Sequence, residues 1–363
     1  MENLYKGGAS VTNNKIIKIL WVDDERKYRT EEAKSIEHKR KGLRIEALHP
    51  QEEKMKERLL EIKNKKNIPD IFLIDYFLDR VPERPKGERY DARALTLAGR
   101  VRELLPEYPI YVITNFSKEP EGICISEAQA AKATFDKILM FKDVQRQGHD
   151  TLYYDALDFR KIRESPRENM NVLFELLHAP DDIKERIEFV LPNELKNGLS
   201  SPDSSEHPAG NAISFARWTQ NPFLSVPGFV YNKLYAATYL GMNIKSFEKI
   251  SPKLKRARYI GIFSRTFEEA WWASKLSNLI FSYKKAQKSK KTNPWAIAPV
   301  IFNIPKNGLS RCIVCNRFLP ETVGRNMDDY KELKPVHYRC SKPDYKKERI
   351  PYFEEYRVFE KKQ

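Results

Sequence analysis

The chain has no run of about 18 apolar residues, which excludes a membrane-spanning helix. Its opening residues have no apolar signal core, so export is not expected and a cytoplasmic location is. The first ten, MENLYKGGAS, read partly as an expression leader and are left out of the fold reading. Glycine is sparse, 14 of 363 residues, and nowhere forms a phosphate-cradling loop. There are only six histidines, and neither His178 nor His207 (in EHPAGN) belongs to a recognisable catalytic constellation. There are four cysteines, three of them near the C-terminus with a histidine, which reads as metal binding in a reducing compartment and not as a disulfide framework. Cys124 stands alone and reads as a small buried side chain. Acidic residues are also in deficit, 50 against 65 Lys and Arg, for a net charge of +15. A balance this basic attracts polyanions and favours nucleic acid as a partner.

The chain does carry a regular alternation of strand and helix signals. Apolar strand candidates fall at 19–22, 43–47, 71–74, 110–113 and 138–141, separated by charged helical stretches such as 51–63 and 92–105. Nearly continuous apolar strands divided by helices predict a parallel sheet covered on both faces. The expected fold class is α/β: a five-stranded doubly wound sheet over 15–165, a mainly helical domain over 166–293, and a small zinc-binding module over 294–363. Helical stretches are expected near 170–177 and 183–191. The stretch NGLSSPDSSEHPAGN, 197–211, reads as a linker or exposed loop. No internal repeat is evident.

In open parallel sheets, ligands bind beyond the carboxyl ends of the strands. Here the first strand, IKILWVDDE, ends in Asp23 and Asp24, and the third, IFLID, ends in Asp75. The fourth ends in Thr114 and the fifth in Lys142. Three carboxylates together repel one another unless a hard cation such as Mg²⁺ relieves them. Asp75 could then act as a carboxylate nucleophile, with Lys142 and the Thr114 hydroxyl holding phosphoryl oxygens.

WVDDE, PDIFLID, VIT and a late lysine together resemble the receiver domain of two-component response regulators, over 15–165. The resemblance implies that Asp23 and Asp24 bind Mg²⁺ and that Asp75 is the phospho-acceptor. It also implies that Thr114 is the switch hydroxyl, Lys142 the pairing lysine (Lys137 being the alternative), and a histidine kinase or other phosphodonor the partner. The family usually has a proline shortly after the acceptor; here Leu78 and Asp79 follow, and the loop to Gly87 is longer.

Near the C-terminus, CIVC supplies Cys312 and Cys315, and HYRC supplies His337 and Cys340, across a 21-residue span. Two such pairs suit one tetrahedral ion, and a Cys₃His set predicts a closed, structural zinc site. Upstream, KLYAATYLGMNIKSFEKI, 233–250, has the spacing of a helix-turn-helix, with Ala237 and a turn at Gly241. Its second helix would present Asn243, Lys245, Ser246 and Lys249 outward. Between 253 and 291 there are eleven Lys/Arg and two Glu, nine of the fifteen excess positive charges. Lys245, Lys249, Lys253, Lys255, Arg256 and Arg258 are therefore the candidate nucleic-acid contacts, with DNA the favoured target. The segment TFEEAWWASKLSNLIFSY, 266–283, predicts one helix capped by Thr266 and Glu269. Trp272, Leu276, Leu279 and Tyr283 would form its core face, with Trp271 exposed.

These features predict a phosphorylation-responsive protein whose receiver controls a nucleic-acid-binding output by a population shift, through uncovering of the basic patch or through homodimerisation. The alternatives are a receiver-gated enzyme such as a nuclease, and an inert pseudo-receiver scaffold that binds protein. No conventional active site is evident, and phosphorylation of Asp75 is the only chemistry predicted.

Overall fold

The computed structural model describes residues 16–50, 53–76, 78, 94–114, 134–144, 149–165, 170–200, 210–288, 292–329, 331–347 and 349–360. Cys124, His207, Asp79, the loop to Gly87, the opening residues and residues 201–209 lie outside them; the described parts of the expected 197–211 loop are instead helical, closing the helix Asn193–Ser200 and opening the helix Gly210–Trp218. The chain divides into two compact units, one of Met1–Ser165 with Glu206–Ser214 and one of Pro166–Ser205 with Phe215–Gln363. The helical region and the cysteine-bearing segment thus share the second unit.

The first unit is built on β1 (Ile17–Val22), β2 (Leu43–Leu48), β3 (Ile71–Asp75), β4 (Ile110–Thr114) and β5 (Lys137–Met140). All pairings are parallel and the order is β2-β1-β3-β4-β5. Between the strands lie α1 (Arg26–Lys39), α2 (Glu53–Lys63) and α3 (Ala94–Leu104), and α4 (His149–Glu164) follows β5. The sequence explains the order. β3 and β4, which read IFLID and IYVIT, have their first four residues buried, as central strands covered on both faces must be. LRIEAL alternates in part and stands at the edge as β2. Leu20, Val22, Phe72, Ile74, Val112 and helix residues Ala98 and Val101 form one core cluster.

The amino edge of this sheet is held by ion pairs. Asp70, 6 % exposed, accepts from Arg160 Nη2 at 2.5 Å and from the Lys18 amide at 2.9 Å. Asp136 accepts from Arg102 at 2.6 Å and from the Ile110 amide at 2.7 Å. Asp155, wholly buried, accepts from the Tyr111 hydroxyl at 2.7 Å and from Lys137 Nζ at 2.8 Å.

In the second unit, α5 (Asn171–Leu177) and α6 (Lys184–Val190) precede a small antiparallel ribbon. Its strands, β6 (Val230–Asn232) and β7 (Ala270–Trp272), each run straight into a helix: α7 (Lys233–Tyr239) and α9 (Ala273–Ser282). Between them lies α8 (Ile244–Ile250); α10 (Pro294–Ile301) follows. The expected single helix over 266–283 is therefore corrected. Residues 270–272 are a strand, and the helix starts at Ala273. Two consecutive bulky aromatics pack well on a paired strand, and ladder bonding to Val230–Asn232 overrides helical periodicity. The expected cap fails with it: Thr266 donates to the Phe263 carbonyl, and Glu269 pairs with Arg258 at 2.8 Å. Trp271 is 2 % exposed, edge-on to Phe247 at 4.8 Å between ring centroids, and not exposed as expected.

Gly241 closes the α7–α8 turn with φ +69°, where a Cβ would lie 2.2 Å from the Trp295 carbonyl oxygen. Only glycine fits that position. The unit ends in a four-stranded sheet of order β10-β11-β8-β9, comprising β8 (Thr322–Asn326), β9 (Leu333–Val336), β10 (Lys342–Pro343) and β11 (Arg357–Phe359).

Candidate functional site

Parallel register decides what meets at the carboxyl edge of the first sheet. Val22 is level with Ile74, Asp75 with Ile113, and Thr114 with Met140. Asp23 and Asp24, the next residues after β1, thus stand beside Asp75. One carboxylate oxygen from each of Asp23, Asp24 and Asp75 can be chosen so that all three lie within 4.8 Å of one another. An octahedral Mg²⁺ holds its oxygens at about 2.1 Å, so ligands across the ion are about 4.2 Å apart. The three side chains fit that span with small adjustment. Asp23 is buried, and Asp24, Asp75 and Thr114 are half-buried, so the cluster is open to solvent on the Asp24 and Asp75 side.

The two lysines separate clearly. Lys137 opens β5, is level with Tyr111, and is spent on Asp155 at the amino edge. Lys142 lies two residues past the end of β5, on the one-turn helical segment Phe141–Asp143, at the same edge as Thr114, and is exposed.

Sequence reasoning missed Arg29. From the first turn of α1, its Nε donates to Asp23 Oδ2 at 2.7 Å, and its Nη1 donates to Glu32 at 2.9 Å. The guanidinium lies 4.2 Å from the centroid of the Phe141 ring and 5.6 Å from that of Trp21. Burial works against its charge, but Asp23 and Glu32 outweigh this and raise its pKa above the ordinary arginine value. Asp23 also accepts the Glu25 amide at 2.8 Å. The most buried carboxylate of the cluster therefore has a resident cation. The signal was present in the sequence as an arginine one helical turn past the acidic pair.

The second cluster is built locally. Cys312 and Cys315 sit in a tight turn in which the Asn316 amide donates to the Cys312 carbonyl and the Cys312 amide to that of Arg317, both at 2.9 Å. His337 and Cys340 bracket a single 3₁₀ turn after β9. One ligand atom from each of the four residues lies within 4.8 Å of the others. Zinc–thiolate bonds of about 2.3 Å place sulfurs about 3.8 Å apart in a tetrahedron, which this set fits. His337 turns Nδ1 to Cys315 Sγ at 3.3 Å and Nε2 to the Phe318 carbonyl at 3.2 Å. A bond from Nε2–H to that carbonyl would leave Nδ1 as the metal-binding atom. Cys315 illustrates the poise: burial pushes its thiol up, but the Arg317 backbone, Cys340, Cys312 and His337 bring it down to about 6. Cys340 goes the other way, raised by burial and by Cys315 and Cys312 to about 11.

Of the candidate nucleic-acid contacts, Lys245 and Lys249 are exposed on one face of α8, with Phe247 and Ile250 buried on the other. Lys253, Lys255 and Arg256 are exposed on the 3₁₀ turn Ser251–Ala257. Arg258 is half-buried and paired with Glu269. The expected outward display of Asn243 and Ser246 is corrected. Asn243 accepts the Ser246 amide and donates to the Asn307 carbonyl, and Gly308 packs against Ser246. Asn307 and Gly308 thus engage the Asn243 and Ser246 side chains, while Ile244 and Lys245 between them stay exposed. Lys284 and Lys288 of the basic run are described; 289–291 lie outside the described residues.

No family model matches the chain, and no curated protein matches it. Among solved structures, the chain is similar to the signal receiver domain of an HD domain-containing protein from Pseudomonas fluorescens Pf-5. There the identity is 14 %, with 44 % of this chain and 98 % of that one covered, at a TM-score of 0.32. It is also similar to a response regulator receiver protein from Sinorhizobium medicae WSM419 (17 % identity, 39 % and 94 % covered, TM-score 0.26). A third likeness is to the receiver domain of the response regulator NarL from Mycobacterium tuberculosis (19 %, 40 % and 95 %, TM-score 0.26). The fold assignment rests on the strand order and register, not on these likenesses.

Proposed function

We propose that the chain is a phosphorylation-responsive signalling protein: a receiver-type unit accepts a phosphoryl group at Asp75 and controls a nucleic-acid-binding second unit. The observation that carries this reading is the meeting of the Asp23, Asp24 and Asp75 carboxylates at the edge that also ends in Thr114 and Lys142. An Asp75 carboxylate oxygen attacks the phosphorus of a phosphohistidine or a small acyl phosphate. The bond from phosphorus to the donor atom breaks; the imidazole of a phosphohistidine leaves with a proton taken from water, and the carboxylate of an acyl phosphate leaves as the anion. A divalent cation held by Asp24 and Asp75 would neutralise phosphoryl charge when bound. Thr114 donates its hydroxyl to one phosphoryl oxygen, and Lys142 swings in from solvent to pair with another. Modification then shifts the population between two arrangements of receiver and output.

For the output, the exposed Lys245, Lys249, Lys253, Lys255 and Arg256 support contacts to phosphates. Because Asn243 and Ser246 are engaged, base reading by α8 is not proposed. The Cys₃His set serves as a structural zinc centre.

The test combines acetyl phosphate labelling in Mg²⁺ with salt-titrated binding to duplex DNA. Wild-type protein labels, and Asp75→Asn abolishes labelling. Lys245→Ala with Lys249→Ala lowers the slope of log affinity against log salt by about 2. Absence of labelling in wild type would overturn the receiver assignment. Strand cleavage in Mg²⁺ would favour a nuclease. Binding that salt does not alter would favour a protein scaffold.

A further inference from the structure

The second unit contains a cavity of about 330 Å³ that neither the metal cluster nor the basic patch uses. Phe229 is buried at its floor, Ser274 and Asn278 of α9 line one wall, and Tyr239, Arg186 and Tyr352 complete it. Arg186, Asn278 and Tyr352 are exposed, so the cavity opens to solvent along that rim.

Three features indicate what it would hold. The first is aromatic. Tyr352 is 51 % exposed, with Phe229 at 6.4 Å on one side and Phe189, itself 62 % exposed, edge-on at 5.5 Å. The two exposed rings form a small aromatic patch at the cavity mouth. Tyr352 is also held there. Its φ of +61° lies in the left-handed region, unfavourable for a residue with a side chain. The loop is pinned by the Glu354 amide donating to the Pro227 carbonyl at 2.7 Å. Gly228 packs so close that a Cβ would sit 2.8 Å from Phe353 Cα.

The second feature is cationic. Arg186 has no ion pair among the described residues; its guanidinium lies 5.9 Å from the Tyr352 centroid. The third is a polar wall. Ser274, Ser277 and Asn278 of α9 line the cavity, and outside it the Asp182 carboxylate accepts from the Ser274 hydroxyl at 3.5 Å and the Asn278 amide at 3.3 Å, which fixes both side chains. The ligand therefore needs hydrogen-bonding groups for that wall, a flat face for Tyr352, and negative charge toward Arg186.

A nucleotide has all three: base-edge N–H groups, a π face and a phosphate. Small-ligand pockets begin near about 300 Å³, the right size for one nucleotide and far too small for a duplex. The geometry points to a site for a single unpaired nucleotide, free or as one residue of a single strand. Stacking on Tyr352 supplies sequence-tolerant affinity, as on other single-strand platforms. This site is separate from the basic patch and needs no phosphorylation.

The test uses the full chain in calorimetric titrations with AMP, GMP, CMP, a single-stranded pentanucleotide and inorganic phosphate. Tyr352→Ala and Arg186→Ala change exposed side chains, and unaltered melting curves verify their folding. Mononucleotides are expected to saturate one site, and each variant to weaken binding about tenfold. A pentanucleotide that binds tighter than any mononucleotide identifies the strand as the source; equal affinity identifies a free nucleotide. Lys245→Ala with Lys249→Ala should leave mononucleotide binding unchanged while lowering duplex affinity, which keeps this inference distinct from the basic-patch reading. Absence of saturable nucleotide binding, inorganic phosphate binding as tightly as AMP, or unchanged affinity in both variants would each overturn it.

Discussion

The carboxylates at the sheet edge and the thiols near the C-terminus are both sets of metal-type ligands, yet the chain assembles them by opposite routes. Asp23 and Asp75 are 52 positions apart and meet because β1 and β3 pair in register from Ile19 beside Ile71 to Val22 beside Ile74. Cys312 and Cys315 are three apart and meet because one tight turn fixes them. The oxygen cluster is half open and has a competing cation in Arg29. The sulfur cluster has four protein ligands and, at His337, a backbone carbonyl to fix the ring. The first arrangement suits an ion and a phosphoryl group that come and go; the second suits an ion that stays.

Metal removal should separate the two most sharply. Stripping zinc with a strong chelator, or Cys315→Ser, should lower the melting temperature of the second unit by more than about 10 °C. Structural zinc in small modules is worth about 10 kcal/mol or more. Metal analysis should give one zinc per chain, and Mg²⁺ should not restore the loss. A chain that melts unchanged without zinc would remove the contrast.

A smaller effect should appear at Arg29. Removing one partner of a buried pair costs about 3–5 kcal/mol, so Arg29→Gln should destabilise the first unit by that order. Asp23 then faces the cluster without its cation, and Mg²⁺ should recover part of the loss. The checks are chemical denaturation with and without Mg²⁺ and the Mg²⁺ affinity itself, which should rise several-fold. If Mg²⁺ affinity falls instead, Arg29 organises the pocket and does not compete within it.

The smallest effect distinguishes the lysines. Lys142→Ala should slow acetyl phosphate labelling while leaving the melting temperature within about 1 °C, as exposed substitutions do. Lys137→Ala should instead lower stability and leave labelling rates nearly intact, because its partner is the buried Asp155. The reverse pattern would exchange their roles.

What could be read from the sequence follows from how each site is built. The aspartates could be located because IKILWV, IFLID and IYVIT are too continuously apolar for anything but central strands, whose ends parallel topology aligns. The cysteines could be located from spacing alone. β7 could not: three residues are too short for a period of two to show against the helical pattern that follows, and only pairing with β6 decides it. Arg29 was missed because its partner lies across a loop. The choice between the lysines needed the register, since a strand's end is uncertain by more than the pocket tolerates. The engagement of Asn243 and Ser246 could not be read for a similar reason, since their partners Asn307 and Gly308 come from a distant part of the chain.

The salt links along the amino edge have a consequence for motion. Asp70, Asp136 and Asp155 tie helix and loop to strand at the side of the sheet where nothing is expected to bind. Loosening that side would strand buried charge, so it should behave as a fixed hinge line. Any displacement on modification must be taken up at the opposite margin, where the chain leaves β3, β4 and β5. Hydrogen exchange should find the strand starts slow in both states and the segments after the strand ends variable.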